Sequence, residues 1–114
     1  MTVQLDKKVY RLQAQIAKAL AHPLRLEIVH CMGNGELPFR VLQRQVKVAK
    51  ANLSQHLAIM RGAGIVVDRR VGNTTHYRLA YPGILKACQS LAETLHSHLS
   101  EGARLAVAAR PRSR

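Results

Sequence analysis

The chain has 114 residues, which leaves room for one domain with a modest core and excludes large enzyme folds with a second lobe. Its 18 Lys and Arg residues against 6 Asp and Glu residues give a net charge of +12 with neutral His. This imbalance predicts a polyanionic partner, either nucleic acid or an anionic membrane surface. Hydrophobic residues make up 47% of the chain, which excludes a disordered basic tail. The aromatic content of 4% disfavours single-stranded binding on stacked rings and favours a duplex.

Two features concern the cellular compartment. The first residues lack the apolar core of a signal peptide, and no apolar stretch approaches the length that spans a bilayer. We therefore expect a cytoplasmic protein without a membrane partner, whose two cysteines are reduced at rest.

The first half of the chain carries apolar residues at the three- and four-residue spacing of amphipathic helices. Pro23 suits the first position of a helix, the Gly-Asn-Gly run at 33–35 ends that helix, and Gly62 and Gly64 provide a later stop. The predicted helices cover residues 6–21, 23–32, about 38–46 and 51–64.

The spacing then changes from helical to extended. Residues 65–71 and 75–81 are rich in β-branched residues and Tyr, and they flank Gly72 and Asn73, whose tolerance of positive φ suits a tight hairpin turn. Beyond this hairpin the helical spacing returns and predicts a long final helix. Its apolar residues are Ile84, Leu85, Cys88, Leu91, Leu95 and Leu99.

The predicted order is four helices, a β-hairpin and a final helix, with two short helices joined by a tight connection directly before the hairpin. This order is typical of a winged helix-turn-helix, a mainly α fold with a β-hairpin. In such a fold the fourth helix enters the major groove of DNA and the hairpin lies along the backbone.

Three runs of residues carry a more specific pattern. They read LAHPLRLEI at 20–28, SQHLAIMRGAGIV at 54–66 and RRVGNTTHYRL at 69–79. Between about residues 12 and 95 the chain resembles the ArsR/SmtB family of bacterial winged-helix repressors. The resemblance implies a homodimer, built from the first and last helices, that binds an inverted-repeat operator and is released by an effector.

The last helix independently favours dimerisation, because a domain this small cannot cover such a long apolar stripe by itself. A two-fold dimer also presents two recognition helices to successive turns of the major groove, about 34 Å apart. We interpret residues 1–101 as a winged-helix domain for DNA binding and dimerisation, and residues 102–114 as a basic, flexible tail.

The fourth helix presents a polar face when its apolar residues turn inward. Asn and Gln can pair bidentately with adenine, Ser can bond to any base edge, and Lys can reach a phosphate or a guanine. We predict DNA contacts by Lys50, Asn52, Ser54 and Gln55. For the adjacent His56, both a structural role and a phosphate contact stay open.

The hairpin is basic and polar, as expected of a wing that contacts phosphates or the minor groove. Strand alternation places Tyr77 and Leu79 on the opposite side, against the core. Three cations around the third helix, Arg40, Arg44 and Lys47, either add phosphate contacts or form a solvated charged face. The predicted DNA-binding residues of the hairpin are Arg69, Arg70, Asn73, Thr74 and Arg78.

No metal site and no cofactor is predicted. The family's thiolate box, of the type E-L-C-x-C-D-L, aligns with ELPFRVL at 36–42, where a proline and an arginine replace both thiols. A second family site aligns with residues 81–83, which lack suitable ligand atoms. His96 and His98 point about 200° apart on a helix and cannot chelate one ion together. A metal-responsive repressor with a non-standard site stays open as an alternative.

The two cysteines suggest a different signal. Some members of the family sense persulfides or oxidants through one Cys near the end of the second helix and another in the last helix, the elements that hold Cys31 and Cys88. We therefore hypothesise thiol-based sensing by Cys31 and Cys88. The alternative is that both are small apolar packing residues, since reactivity needs exposure and a lowered pKa.

Other classes of protein fit less well. We expect no enzyme, because neither a catalytic triad order, nor a phosphate-binding glycine loop, nor a carboxylate pair is present. A membrane-surface protein is disfavoured because the basic residues do not gather on one face of an amphipathic helix. A constitutive or architectural DNA-binding protein stays open, and the effector is unknown.

Overall fold

The computed structural model describes residues 4–109, and it confirms the winged helix-turn-helix fold. Three antiparallel strands and five helices occur within these residues. In chain order they are α1 (Lys7–Leu20), α2 (Pro23–Met32), β1 (Leu37–Pro38), α3 (Phe39–Val46), α4 (Lys50–Gly62), β2 (Val66–Val71), β3 (Thr74–Leu79) and α5 (Pro82–Ala109).

The first two helices begin at residues whose side chains cap them. The Asp6 carboxylate accepts a hydrogen bond from the Lys8 backbone N–H over 3.2 Å at the start of α1. His22 Nδ1 accepts one from the Leu24 backbone N–H over 3.1 Å at the start of α2, and Pro23 occupies the first helical position. Each cap satisfies a backbone donor that the helix leaves free. The bounds of α2 therefore match those predicted.

The turn between α3 and α4 has only three residues, which brings the two helices into a helix-turn-helix. Lys47 ends α3 in the left-handed region, with φ 58° and ψ 51°. The Gln43 side-chain Nε2 donates to the Val48 carbonyl oxygen over 3.2 Å and closes the turn. The short turn fixes the direction in which α4 leaves α3.

The hairpin forms a wing, defined here as residues 66–79. Val71 pairs with Thr74, so the loop is the two-residue Gly72–Asn73 turn, and Gly72 has φ +61°. A positive φ at the first loop position alone is the pattern of a type II′ turn, which matches the twist of the flanking strands. The predicted tight hairpin is thus present.

The sheet contains one strand that the sequence pattern does not predict. Leu37 pairs with Tyr77, and Pro38 pairs with His76, which adds β1 to the outer side of β3. The predicted start of α3 near Pro38 is confirmed, since this proline is the N-cap of the helix. The two-residue strand attaches the wing to the start of α3.

The core lies between α2, α3, α4 and the base of the wing. Leu79 is buried and Tyr77 packs against the core, as alternation predicts. The largest side chains with less than 2% exposure are Ile28, Val29, Leu42, Leu53, Leu57, Met60, Ile65 and Val66. Because Leu53, Leu57 and Met60 share one side of α4, the opposite side of this helix faces solvent.

The last helix continues beyond the predicted division at residue 101. It runs to Ala109, so the division does not coincide with a helix end, and residues 110–114 of the predicted tail lie outside the described residues. Its leucines at 91, 95 and 99 are 61%, 52% and 69% exposed. Across residues 4–109, no helix combines the length and the apolar character needed to cross a membrane.

Candidate nucleic-acid interface

The outward side of α4 carries the polar side chains predicted to read DNA. Asn52, Ser54 and Gln55 are exposed, together with the small Ala51 and Ala58. This arrangement follows from helical geometry, because the buried residues of α4 lie on the other side of the helix. Amide and hydroxyl groups on an exposed helix face can bond to base edges in a major groove.

A cleft of about 390 Å³ separates the start of α4 from the wing. We call it the α4–wing cleft. Its charged lining residues are three cations, Arg40 from α3, Lys50 from α4 and Arg70 from β2. The remaining lining residues are Phe39, Ser54, Asn73, Thr74, Thr75 and Tyr77. Five of the predicted DNA-binding residues, two from α4 and three from the wing, therefore meet at one concave surface.

The other wing arginines point away from this cleft. Arg69 lies next to Arg70 in β2, and consecutive side chains of a strand project from opposite faces. Its Nε donates to both carboxylate oxygens of Glu36, over 2.9 and 3.0 Å, and its Nη2 lies 2.8 Å from Oε1. The hydrogen bond from Arg69 holds the pKa of Glu36 below its usual range, and the carboxylate raises the pKa of Arg69. Arg69 thus links the wing to the residue before β1.

Arg78 and Thr74 also make contacts within the wing. Arg78 Nη1 donates to the Leu79 carbonyl oxygen over 3.3 Å. The Thr74 hydroxyl donates to the Val71 carbonyl oxygen over 2.9 Å, and it lies 3.2 Å from His76 Nε2. These contacts leave part of each side chain's hydrogen-bonding capacity for a ligand. DNA contact by Arg69, Arg78 and Thr74 stays a prediction.

His56 lies apart from the outward face of α4. Its Nδ1 accepts a hydrogen bond from Arg25 Nε over 3.1 Å, and its ring centroid lies 4.4 Å from that of His22. The same guanidinium donates from Nη1 to the Ala19 carbonyl oxygen over 2.9 Å. Burial, then the charges of His22 and Arg25, lower the pKa of His56. These contacts with Arg25 and His22 support a structural role for His56. A phosphate contact by His56 stays a prediction.

Arg25 is a residue of this region that sequence reasoning missed. It occupies the LAHPLRLEI run, but a run of letters does not reveal a hydrogen bond to a residue 31 positions away. Its guanidinium joins the end of α1 to the middle of α4. The orientation of the reading helix therefore depends on a residue of α2.

The two cysteines lie in α2 and α5, as predicted, and both are half-buried. Burial raises the pKa of the Cys88 thiol, and burial together with the charge of Glu27 raises that of Cys31. A raised pKa reduces the thiolate fraction at neutral pH. Cys88 also lines an apolar groove of about 420 Å³ between α1 and α5.

His96 occupies a different surface depression, beside His30 and Glu93, between α2 and α5. In the part of the chain that the structure describes, no group of three or more His, Cys, Asp or Glu residues is arranged to hold a metal ion. Neither His96 nor His98 therefore belongs to such a group among the described residues.

Comparison with known proteins identifies the family. The profile of a family described as a helix-turn-helix domain matches residues 20–69, from the end of α1 into β2. The uncharacterized HTH-type transcriptional regulator Rv0081 of Mycobacterium tuberculosis is 35% identical over 97 residues, which cover 84% of this chain and 85% of that protein. The arsenical resistance operon repressor of Escherichia coli is 36% identical over 72 residues, or 62% of each chain. The chain belongs to the ArsR/SmtB family.

Solved structures of similar proteins agree with this assignment. The crystal structure of Rv0081 aligns with a TM-score of 0.72 at 33% identity, and covers 83% of this chain and 96% of that one. The homodimeric winged helix-turn-helix DNA-binding domain Mb0332 of Mycobacterium bovis aligns with a TM-score of 0.74 at 25% identity, and covers 89% of this chain and 95% of that one. This ArsR/SmtB protein is a DNA-binding transcriptional repressor.

Proposed function

We propose that the protein is a homodimer that binds an inverted-repeat operator sequence-specifically and is released by an effector. The observation that carries this proposal is the joint surface of α4 and the wing. Exposed Asn52, Ser54 and Gln55 adjoin a cleft whose only charged lining residues, among those described, are cations. Proteins that bind duplex DNA sequence-specifically combine side chains that contact base edges with side chains that contact backbone phosphates.

Dimerisation is supported by apolar surface that one protomer leaves exposed. Leu91, Leu95 and Leu99 recur every four residues along α5, and Val9 and Leu12 of α1 are 41% and 55% exposed. The apolar groove between α1 and α5 continues this surface. A second copy of the same chain would bury both stripes across a two-fold axis. The homodimeric Mb0332 domain, which has the same fold, adds support.

The dimer is tested by placing a charge in the stripe. Leu95→Glu would bury a carboxylate in the interface, so sedimentation should detect monomers and operator affinity should fall. Ser90→Glu is the matched control, because Ser90 lies about 140° around α5 from Leu95. A Leu95→Glu variant that remains a dimer would contradict this interface.

Sequence-specific reading is tested by selecting duplexes from a random pool with the wild-type protein. We expect an inverted repeat with half-sites one helical turn apart, bound about a thousandfold more tightly than random duplex at physiological salt. Gln55→Ala or Asn52→Ala should relax the base preference by roughly 1 to 3 kcal/mol. Equal affinity for selected and random duplexes would instead favour the constitutive or architectural alternative.

Thiol-based release stays a hypothesis about the effector. It is supported by the positions of Cys31 and Cys88 in α2 and α5, whereas the raised pKa of both thiols counts against fast reaction at neutral pH. Treatment with a persulfide donor or an oxidant should lower the operator affinity of the wild type and not of Cys31→Ser or Cys88→Ser. Equal affinity before and after treatment would end this hypothesis. The alternative effector is a metal ion. If a chelator added to the purified protein raises its operator affinity, that result would favour a non-standard metal site.

A further inference from the structure

The cations of the α4–wing cleft differ from the other arginines near the wing. Arg61 is paired with Asp68 over 2.9 Å, and Arg69 is paired with Glu36. In contrast, the side chains of Arg40 and Lys50 form no hydrogen bond or ion pair with any described residue, and the Arg70 side chain donates only to the Gly72 carbonyl oxygen over 3.3 Å. Acidic residues therefore neutralise Arg61 and Arg69, whereas the three cations that line the cleft have no acidic partner among the described residues.

The cleft also presents hydroxyl donors beside these cations. The side chains of Ser54 and Thr75 line it, from α4 and β3 respectively. No acidic residue occurs among its described lining residues. Cationic groups around neutral O–H donors suit an anion with several acceptor oxygens, and a phosphate diester is such an anion. The concave shape favours a group that protrudes between α4 and the wing.

Duplex geometry places such a group at this position. When a recognition helix enters the major groove and the wing lies beside it, the sugar-phosphate strand that borders the groove passes between the two. The cleft lies between these same two elements. A backbone phosphate on that strand would therefore face Arg40, Lys50 and Arg70 together.

We infer that Arg40, Lys50 and Arg70, from three different elements, bind a single DNA backbone phosphate in the α4–wing cleft. The inference rests on the proposed mode of DNA binding and adds Arg40 to the interface. The site fixes the position of the wing relative to α4 on the duplex. It contributes affinity for every sequence and no base preference.

Arg44 is the matched control for Arg40. Both are exposed arginines of α3, four residues apart, and both line a neighbouring depression, but only Arg40 also lines the cleft. Since Arg40 has no partner among the described residues, Arg40→Ala should fold with an unchanged Tm. Circular dichroism melts of both variants check this.

The test uses a selected operator duplex in which one backbone phosphate at a time is replaced by an uncharged methylphosphonate. The wild type should lose affinity most strongly at one phosphate per half-site, at the edge of the major groove. Arg40→Ala should bind the unmodified duplex about three- to tenfold more weakly, and the methylphosphonate at that phosphate should cost it less affinity than it costs the wild type, because only Lys50 and Arg70 remain to contact the phosphate. Arg44→Ala should retain the full loss. If each methylphosphonate costs Arg40→Ala the same factor in affinity as it costs the wild type, at every position, the inference is overturned.

A second measurement separates this inference from the proposed function. On random duplex, Arg40→Ala should reduce the slope of log affinity against log salt by about 1, and more than Arg44→Ala does. If the wild type selects no sequence from the pool, the proposed sequence-specific binding is contradicted. The slope on random duplex can still be measured in that case, so the phosphate site is tested separately. Equal slopes in the two variants would contradict the phosphate site even if selection succeeds.

Discussion

The guanidinium of Arg25 joins three helices, and its removal should loosen the placement of α4. Nη1 donates to the Ala19 carbonyl oxygen over 2.9 Å and Nε donates to His56 Nδ1 over 3.1 Å. Hydrogen bonds from a charged donor contribute about 1.5 to 3 kcal/mol each. Because Arg25 is only partly buried, water replaces part of each bond in the variant. We expect Arg25→Met to lower the free energy of unfolding by about 2 kcal/mol in total.

For a domain of this size, a loss of about 2 kcal/mol corresponds to a Tm lower by roughly 10 °C. Methionine keeps the apolar stem, so the measurement isolates the guanidinium. Thermal unfolding should be followed at one fixed protein concentration, since the Tm of a dimer depends on it. Arg11→Met, an exposed change in α1 at a residue without a partner among those described, is the control and should leave Tm unchanged.

Operator affinity provides the second readout for Arg25→Met. At a temperature where the variant is fully folded, affinity for the selected duplex should still fall, because the Arg25 guanidinium no longer links α4 to α1 and α2. A wild-type Tm together with wild-type affinity would refute this reasoning, since it would mean that water replaces both hydrogen bonds without loss.

Three further predictions concern single residues. His56 has a folded-state pKa below its unfolded value of about 6.5, so the unfolded chain binds more protons and stability should fall as the pH drops through about 6.5. The stability difference between wild type and His56→Gln should then vary with pH, and parallel curves would contradict it. Lys47→Gly should raise the free energy of unfolding by about 0.5 to 1 kcal/mol, because glycine adopts the left-handed conformation without strain; urea unfolding checks this, with Lys47→Ala expected to show no gain. Glu36→Gln should release Arg69 and steepen the salt dependence of DNA binding. The steeper salt dependence should disappear in the double variant that also carries Arg69→Ala. If it persists there, its cause is the loss of the Glu36 negative charge and not the release of Arg69.

Local signals explain why most elements could be predicted from the sequence. Pro23 and the glycines at 33 and 35 define α2 within the chain segment itself. The turn at Gly72–Asn73 and the inward alternation of Tyr77 and Leu79 likewise depend only on neighbouring residues. These features need no knowledge of distant contacts, and the structure contains them.

The elements that escaped prediction depend on contacts between distant residues. β1 consists of Leu37 and Pro38 alone, and only their pairing with β3, some 40 residues later, makes them a strand. The Arg69–Glu36 and Arg25–His56 contacts join residues 33 and 31 positions apart. A charge pattern predicts that Arg69 is exposed, but it cannot identify the partner that occupies it.

The distribution of acidic residues decides where the excess positive charge can act. Between residues 37 and 67 the chain has five Lys or Arg residues and no Asp or Glu, and this stretch contains α3 and α4. Two acids flank that stretch, Glu36 before β1 and Asp68 within β2, and they pair with Arg69 and Arg61 respectively. Since a paired arginine gains less from a phosphate than a free one, the net charge of +12 overstates the number of phosphate contacts. The salt dependence of binding should therefore follow the free cations around the α4–wing cleft instead of the total charge.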